Sequence, residues 1–514
     1  MAGRLKSPIV WGVWAAVVFG AVARVGFVAR DASFWIDESM LALNVVHRSP
    51  SALLQPLDLN QGAPVGYLLL CKASIQVFGP HEWVLRGVSL VVGLAALALF
   101  ASFAFKSLEA NVARMATALF AVSPYLVGYS AEFKQYELDA ALCCALLAIS
   151  RPLLAGVGTR REAVCLAVGG AVAVWFSHPA AFVLAGIGCG ILGEAILRKD
   201  RSAMFTRLGI GTVWLIGFAA CWYLFTRRLG MNAYLNDYWA GTFLPLPPRS
   251  IGDATWIPHH LLQLFDNPGG FTSPVFGGGG LAACAAGIGI VRLARNDKPL
   301  LTALIVPILA ALIASAFRKY PFAGRLMLFA VPLLIPLVAV GLMTLCESLA
   351  AVQRRLPILV LALVFLPPIH ECWTLVKKPL HAENTREIVA HLAANRREGE
   401  PVHVHYGAIP GVAYYGPKLG LQADGVTFSR AIRGGPAAVQ AEELSAYRGQ
   451  PMVWVVLSHR QAVEEAAIWA HLDAFGHLRS EFRGQDSVVR SYDLCRGGAN
   501  MPPVRAESLG RAGE

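Results

Sequence analysis

Residues 326–346 have the sequence LMLFAVPLLIPLVAVGLMTLC, 21 positions without a charged side chain. A helix of that length reaches across the hydrocarbon layer of a bilayer, which needs about 20 apolar residues. Ten further apolar runs accompany it, and two of these are weaker because one is short and the next follows it almost directly. The sequence predicts eleven transmembrane helices, at 8–28, 84–105, 113–128, 138–157, 162–177, 179–197, 208–225, 276–293, 299–317, 326–346 and 356–375.

The composition agrees with a polytopic α-helical membrane protein. Of 514 residues, 56% are hydrophobic and only 15% are charged, which excludes both a chain that is water-soluble throughout and a disordered one. The net charge is +11. The basic residues separate the apolar runs and do not cluster on one polar face, so they indicate membrane topology and argue against a nucleic-acid partner.

The distribution of Lys and Arg predicts an orientation. With a cytoplasmic N-terminus, 16 basic residues fall in the short inner connections, as the positive-inside rule requires. The first run also resembles a cleavable signal peptide, but cleavage would leave the following segment on the same side. Three polar segments are therefore expected outside: 29–83, 226–275 and the tail from 376.

These outer segments differ in character. In the first, Phe34 to His47 and Leu68 to Phe78 are predicted to be short helices at the membrane surface. The second, 226–275, is predicted to be a long irregular loop with interfacial aromatic residues. The tail predicts a small α/β domain over 376–495, with helices and strands alternating along it, and a frayed end over 496–514.

The cysteines and histidines carry little chemical signal. Seven of the ten cysteines lie in or beside apolar runs, where a thiol behaves as a small hydrophobe. A pairing of Cys372 with Cys495 outside the membrane stays open. His403 and His405 alternate along a predicted strand, and a solvated strand face is the preferred interpretation because two histidines make a poor metal site.

The strongest candidate for chemistry is FWIDE at 34–38, at the predicted outer end of the first span. Two adjacent carboxylates, Asp37 and Glu38, lie there beside an apolar aromatic run, where the pKa of a carboxyl can be tuned. One of them can act as general base on a hydroxyl. The alternative is structural: Asp37 caps a helix over 38–47 and Glu38 favours its positive end.

Three other outer segments carry clustered polar residues. Gln61 opens a turn that leads to Lys72, a lysine suited either to a lipid phosphate or to snorkelling. The segment 129–139, YSAEFKQYELD, holds Glu132 and Tyr136 on one helical face, together with Lys134. The fourth segment, 318–325, places three cations outside against the local positive-inside rule and thus calls for an anion; its candidate residues are Arg318, Lys319, Tyr320 and Arg325.

Taken in order, FWIDES, NQGAPVGYLLLCK, FGPHEWVLRGVSLVVG, YSAEFKQYELDAAL and RKYPFAGRLMLFAVPLLIPLVAVGL resemble the GT-C membrane glycosyltransferases over roughly residues 10–350. The similarity is closest to the glycosyltransferase family 39 and Rgt-like branch, related to the aminoarabinose transferase and the protein O-mannosyltransferases. It implies a GT-C-like membrane domain over 1–375. It also implies Asp37 as the catalytic carboxylate, with Glu38 and Glu132 supporting it or a metal. One departure is that Lys134-Gln135 precedes Tyr136 where relatives often have Arg.

The resemblance implies transfer of a sugar from a polyprenyl-phosphate donor to a hydroxyl of a glycolipid, envelope glycan or protein. The reaction would be inverting and would take place at the outer face of a bacterial inner membrane. Gln61, Lys72, Lys134, Tyr136, Arg318, Lys319, Tyr320 and Arg325 are the expected substrate-binding residues. The sequence identifies no definite cofactor, and a requirement for a divalent metal ion stays open. The rivals are a lipid-linked glycan flippase, which needs ionisable residues within the spans, and a non-catalytic assembly protein.

Overall fold

The computed structural model describes residues 6–377, 383–495 and 505–508. These residues form two compact units. The first, called here the membrane unit, contains the residues up to Arg30 and those from Ser49 to the end of the long helices. The second, the α/β unit, contains Asp31–Arg48 and the described residues from Glu383 onward. The sequence predicts a single domain boundary, between residues 375 and 376, which leaves Asp31–Arg48 in the membrane domain. That domain boundary stays a prediction.

The helices of the described residues up to 377 follow the predicted order. Short non-α turns accompany them at Ala52–Leu54, Trp222–Thr226, Ala240–Thr242 and Gly324–Ala330. The α-helices are α1 (Lys6–Ala29), α2 (Ile36–His47), α3 (Val65–Phe78), α4 (Glu82–Ser107), α5 (Ala110–Ala121), α6 (Pro124–Tyr129), α7 (Tyr136–Leu154), α8 (Arg160–Phe176), α9 (Ala180–Arg198), α10 (Arg201–Cys221), α11 (Arg227–Leu229), α12 (Ala233–Tyr238), α13 (Ile251–Asp266), α14 (Gly279–Asn296), α15 (Lys298–Ala316), α16 (Val331–Val352) and α17 (Leu356–Lys377).

Seven helical stretches among the described residues are long and apolar enough to cross a membrane. They correspond to the runs predicted to begin at 8, 84, 179, 208, 299, 326 and 356. The other four predicted spans are also helical, but they are shorter or less apolar, and the run at 113–128 is divided between α5 and α6. The protein is therefore a multi-helix membrane protein, and the count of eleven spans stays a prediction.

Close helix packing in the membrane unit depends on small residues. At Gly341 of α16 a Cβ atom would lie 1.7 Å from the carbonyl oxygen of Ala285, and at Gly289 of α14 it would lie 2.0 Å from that of Leu337. Neither position can hold a side chain without separating the two helices. Small residues at such crossings let helices in lipid gain dispersion energy from backbone contact. α14 and α16 are thus closely packed against each other.

The prediction for the two outer segments of the membrane part is partly right. The helices expected around 34–47 and 68–78 are confirmed as α2 and α3, and their position at the membrane surface stays a prediction. The irregular loop expected over 226–275 is wrong for α13, a helix of 16 residues. Ser250 caps it by accepting from Asp253 N–H, and Trp256, Leu264 and Phe265 form its buried side. Hydrogen bonds to the cap and burial of this side stabilise the helix.

The α/β unit adds four further helices and one sheet to α2. The helices are α18 (Thr385–Asn395), α19 (Ile409–Tyr415), α20 (Ala437–Ser445) and α21 (Ala462–Asp473), with a 3₁₀ turn at Pro417–Leu419. The strands are β1 (Val402–Val404), β2 (Val426–Phe428), β3 (Val453–Ser458), β4 (His477–Arg483), β5 (Ser487–Asp493) and β6 (Arg505–Ser508), in the order β2-β1-β3-β5-β4-β6.

The sheet is mixed. β1 runs parallel to β2 and β3, whereas β5 is antiparallel to both β3 and β4. Every residue of β3 is buried, as expected for a central strand covered on both faces. The predicted frayed end is wrong at β6, which pairs in parallel with β4 and so satisfies backbone groups of that edge. The remainder of 496–514 lies outside the described residues.

Two smaller expectations are also corrected. His403 and His405 are buried, at 4% and 2% exposure, so they do not form a solvated strand face. All ten cysteines lie within the described residues and carry free thiols. Cys372 Sγ donates to the carbonyl oxygen of Val122, and Cys495 Sγ donates to that of Gly449. The open pairing of Cys372 with Cys495 is therefore excluded in this structure.

Candidate active site

In the membrane unit, two of the polar segments predicted from sequence are in direct contact. Lys134 Nζ donates to Oε1 of Gln61 at 2.8 Å, and Gln135 Nε2 donates to the carbonyl oxygen of Gly62 at 3.3 Å. Lys134 is only 4% exposed. A lysine placed at a buried site needs a polar partner. The turn at 61–62 supplies one and thereby fixes the ammonium group in place.

The segment 318–325 joins the segments around Gln61 and Lys134 through the aromatic stacking of Arg325. The guanidinium carbon of Arg325 lies 5.6 Å from the ring centroid of Tyr136 and 5.8 Å from that of Trp239. Tyr136 also packs edge-on against Tyr129, with ring centroids 5.4 Å apart. Contacts with two aromatic rings hold the Arg325 guanidinium in orientation.

The connection that precedes Arg325 is fixed by hydrogen bonds. Tyr320 Oη donates to the carbonyl oxygen of Leu326 at 2.6 Å, and Phe322 N–H donates to that of Thr242 at 3.1 Å. Burial raises the pKa of the Tyr320 hydroxyl, with smaller contributions from Asp139 and Tyr136, so it stays protonated as a donor. Arg318 and Lys319 are exposed on the same connection, with Arg318 stacked over Phe243 at 5.1 Å.

Acidic residues are concentrated around the start of α7. Glu132 is 7% exposed, and the sequence interpretation identified it. Glu137 and Asp139, which that interpretation did not select, are 0% and 5% exposed. Neither carboxylate oxygen of Glu137 has a hydrogen-bond partner among the described residues. Carboxylates buried at this cost are uncommon unless they serve a function or balance a charge.

The positive counterpart of Glu137 lies in α1. Arg24 is fully buried and donates to the carbonyl oxygens of Gly20 and Ala121 at 3.1 and 3.0 Å, and its charge interacts with that of Glu137. In the sequence, the signal that could have identified this residue is a single arginine inside an apolar run. Arg24 and Glu137 both lie near the ends of their helices.

A cleft of about 620 Å³, including its open mouth, adjoins Gln61 in the membrane unit. Two of its polar lining residues donate hydrogen bonds: Arg228 Nη1 to Oε1 of Gln55, also in the lining, at 2.9 Å, and Asn232 Nδ2 to Oδ1 of the neighbouring Asn60 at 3.0 Å. The other polar side chains of its wall are Gln61, His178 and Thr226. Burial lowers the pKa of His178 to about 4, so its imidazole is neutral at pH 7. Lys72 is half-buried on α3.

Asp37 and Glu38 belong to the α/β unit, where they lie in the first turn of α2. Glu38 is fully buried, and its Oε2 accepts from Trp35 N–H at 3.4 Å. Glu38 therefore supplies the capping contact, while Asp37 is half-buried at the second position of the helix. The structural alternative, in which Asp37 occupies the N-cap, is wrong because Trp35 does.

The segment before α2 is held by residues from far along the chain. Phe34 N–H donates to Tyr415 Oη at 2.7 Å, and Ser33 Oγ donates to Glu387 Oε2 at 2.6 Å. Phe34 is fully buried and packs against Tyr414, with ring centroids 5.3 Å apart. The turn that carries Asp37 is thus fixed by α18 and α19, which no local sequence signal could indicate.

One group of side chains with metal-ligating atoms lies in the α/β unit. Among the described residues, the one group of at least three His, Cys, Asp or Glu side chains with metal-ligating spacing consists of Glu383, His459 and Asp486. It contains none of the acids proposed for catalysis. A metal ion at Asp37 and Glu38 therefore stays a prediction.

Comparison with known proteins gives a clear answer for the fold. No family model matches the chain, and no curated protein matches it by sequence. Among solved structures, it is similar to ArnT from Cupriavidus metallidurans bound to undecaprenyl phosphate, with a TM-score of 0.55 and 13% identity over 93% of this chain and 98% of that one.

It is also similar to the oligosaccharyltransferase AglB from Archaeoglobus fulgidus, in complex with an inhibitory peptide and a dolichol-phosphate. The TM-score is 0.51 and the identity 11%, over 91% of this chain and 72% of that one. Both neighbours are membrane glycosyltransferases with a GT-C fold. The similarity predicted from the outer motifs is confirmed: this chain has the fold of the GT-C glycosyltransferases.

Proposed function

We propose that the protein is a membrane glycosyltransferase that moves a sugar from a polyprenyl-phosphate donor to a hydroxyl acceptor on the outer face of the membrane. The observation that carries this proposal is the convergence of Gln61, Lys134, Tyr136 and Arg325 from three distant segments in the membrane unit. The fold, shared with an ArnT bound to undecaprenyl phosphate, agrees with a lipid-linked donor.

Lys134 and Arg325 are the residues proposed to bind the donor phosphate. Lys134 contributes a point charge, and the planar guanidinium of Arg325 can donate two parallel N–H groups to phosphate oxygens. As the sugar leaves, negative charge builds up on the phosphate, and cations already fixed in place stabilise that charge without reorganisation. Lys72, Arg318 and Lys319 are assigned to attraction of the donor head group at the membrane face.

Asp37 is the proposed general base, by the resemblance and by its half-buried position in a turn that Glu38 caps. In the reaction, the acceptor hydroxyl oxygen forms a bond to the anomeric carbon while its proton passes to the carboxylate. The bond from the anomeric carbon to the phosphate oxygen breaks, and the polyprenyl phosphate leaves with the electron pair. A single displacement of this kind inverts the anomeric configuration. Glu132 is assigned to organising the membrane-unit cluster.

The cleft beside Gln61 is the proposed sugar site. Its lining combines amide, guanidinium and neutral imidazole groups that can donate to and accept from sugar hydroxyls. Apolar side chains at the same wall, such as Leu54 and Leu229, suit the less polar ring face.

Transfer from radiolabelled polyprenyl-phosphate sugars tests the proposal, with purified protein in nanodiscs and membrane extract as acceptor. Asp37→Asn should lower turnover by about 10²–10⁴, the usual contribution of a general base. Asp424→Asn, an exposed aspartate of the same unit, is the matched control and should keep full activity. Equal transfer by wild type and Asp37→Asn would reject Asp37 as the base. Chelator, followed by addition of Mn²⁺, tests the metal requirement in the same assay.

The flippase alternative is distinguished by the position of the buried charges. A transport pathway requires ionisable residues along the spans, whereas Glu137 and Asp139 lie in the first turn of α7 and Arg24 lies close to the end of α1. This placement favours catalysis at one face. Movement of labelled lipid across the liposome bilayer without any transfer of sugar would instead support the flippase. The absence of both activities would support the assembly protein.

A further inference from the structure

Three side chains with metal-ligating atoms meet in the α/β unit, and the proposed reaction uses none of them. Glu383, His459 and Asp486 each offer one ligand atom, and these atoms all lie within 4.8 Å of one another. The three come from separate places in the chain. Glu383 lies two residues before α18, His459 follows β3 directly, and Asp486 lies in the turn between β4 and β5.

Their position in the sheet is one where α/β proteins bind ligands. β1 lies between β2 and β3. After β1, the chain forms β2 on one side of it and then crosses to form β3 on the other side. Ligands of open α/β sheets bind outside the carboxyl ends of the strands near such a reversal. His459 stands at the carboxyl end of β3, next to that point.

The contact distances fit a coordination polyhedron. His459 Nδ1 lies 3.1 Å from Glu383 Oε1. Metal–ligand bonds of about 2.0–2.2 Å to nitrogen and carboxylate oxygen place neighbouring ligand atoms roughly 3.0–3.5 Å apart in octahedral or tetrahedral geometry. The observed separation matches one edge of such a polyhedron, and the ligand atom of Asp486 lies within 4.8 Å of the other two.

Glu383 is held in place by neighbouring hydroxyl groups. Its side chain is 4% exposed, and Ser458 Oγ donates to its Oε2 at 3.2 Å. The Ser458 hydroxyl is itself fixed by Ser487 Oγ at 2.8 Å and Thr385 Oγ1 at 2.9 Å. Partners of this kind orient metal-ligating carboxylates and raise affinity for the ion. The His459 side chain is 33% exposed, which leaves an entry path.

The chemistry of the donor set determines which cation fits. The group offers two carboxylates and one imidazole, and the adjacent Arg460 is engaged by Glu465 at 2.6 Å and by the carbonyl oxygen of Gln485 at 2.9 Å. A mixed set of nitrogen and oxygen donors suits Zn²⁺ or Mn²⁺ better than Mg²⁺, which prefers oxygen ligands alone.

We infer that Glu383, His459 and Asp486 form a binding site for a divalent transition-metal ion that joins the end of β3, the β4–β5 turn and the start of α18. Three protein ligands leave positions for water, so the ion also stays open to exchange. The site is independent of the proposed transferase reaction.

Zn²⁺ binding to the purified full chain in detergent tests the inference, after removal of bound metal with chelator. The measurements are calorimetric titration and the metal content of the gel-filtered protein. The wild type is expected to bind one Zn²⁺ more than the Glu383→Gln variant, and Glu383→Gln or His459→Asn should weaken binding at this site at least tenfold. Asn is chosen because residue 459 has φ +53°, which Asn tolerates.

His471→Asn, a half-buried histidine on α21 outside the group, is the control and should bind Zn²⁺ as the wild type does. Zn²⁺ should also slow amide exchange across Ser458 and Ser487 in the wild type but not in Glu383→Gln. Equal stoichiometry and affinity in the wild type and both ligand variants would overturn the inference and leave an ordinary ion pair between Glu383 and His459.

Discussion

Lys134 and Gln61 are joined by a hydrogen bond of 2.8 Å although 73 residues separate them in the chain. The bond connects the polar turn before α7 to the turn before α3. It places a buried ammonium group at the edge of the cleft that Gln61 lines. Sequence-distant polar segments are thus combined into one site in the membrane unit.

Replacing Lys134 tests whether this ammonium group binds the donor. Lys134→Met should lower kcat/KM for the polyprenyl-phosphate donor roughly 10- to 100-fold, since hydrogen bonds to charged groups contribute about 1.5–3 kcal/mol. Lys134→Arg should recover part of the loss. Lys106→Met, an exposed lysine at the end of α4, is the control. Steady-state transfer kinetics give the answer, and unchanged kinetics for Lys134→Met would exclude the role.

Arg325 is expected to depend on its shape as well as its charge. Arg325→Lys keeps the charge but loses planar stacking on Tyr136 and Trp239, so activity should fall about two- to fivefold, the equivalent of about 0.5–1 kcal/mol. Arg325→Gln should fall more than tenfold. Arg295→Gln, an exposed arginine at the end of α14, serves as control. Transfer rates at saturating acceptor measure the series, and equal activity of Lys and Gln variants would contradict a role for charge.

Tyr415 should stabilise the turn that carries Asp37. Tyr415→Phe removes the acceptor of Phe34 N–H, and a buried donor left without its partner costs about 1–3 kcal/mol. Amide exchange at Phe34 and through the first turn of α2 should accelerate accordingly. Hydrogen exchange read by mass spectrometry measures it, with α21 as the internal reference. Unchanged protection of α2 would show that this bond does not hold the segment.

The stability of the α/β unit should decrease in mild acid. Burial lowers the pKa of His403 to about 4 from an ordinary value near 6.5, so the unfolded chain binds a proton that the folded chain rejects. Stability is then complete above pH 6.5 and is lost progressively between pH 6.5 and 4, by on the order of 3 kcal/mol. His405 shifts in the same direction, chiefly by burial.

Unfolding of the α/β unit followed by hydrogen exchange between pH 7.5 and 5 measures this dependence. His403→Gln should flatten the profile while lowering stability at pH 7.5, because its packing against Tyr447 is altered. An identical slope in wild type and variant would assign the acid sensitivity to another group.

Ser250 should control the helix that the sequence interpretation missed. Ser250→Ala removes the acceptor of Asp253 N–H and should destabilise α13 by about 1 kcal/mol. Exchange of the first-turn amides of α13 should increase roughly fivefold. Ser202→Ala, an exposed serine in the first turn of α10, is the control, and equal exchange in both variants would reject the cap.

Much of the fold could be predicted because apolar length and periodicity are local properties. The helices α2 and α3 lie where the pattern places them, and helices and strands alternate along the tail as predicted. Helix α13 was missed although Ser250 and Asp253 form an S-x-x-D capping signal. Pro258 within α13 and the Pro- and Gly-rich residues around it favoured a loop.

The site was predictable only in part. The contacts of Gln61, Lys134 and Arg325 unite segments selected for their clustered polar residues. Glu137 and Arg24 were not selected because each is significant only through burial against the other, which depends on helix packing. The assignment of Asp31–Arg48 to the α/β unit rests on hydrogen bonds such as the one from Ser33 to Glu387. The spacing of residues along the sequence does not indicate these bonds.

The contact between Ser33 and Glu387 spans 354 residues, and it sets an order of events during biosynthesis. A ribosome that adds about 5–20 residues per second needs roughly 20–70 s to pass from one partner to the other. Throughout that interval the turn carrying Asp37 lacks the side chains that fix it. The proposed base therefore reaches its final setting only after the helices up to α17 have been synthesised.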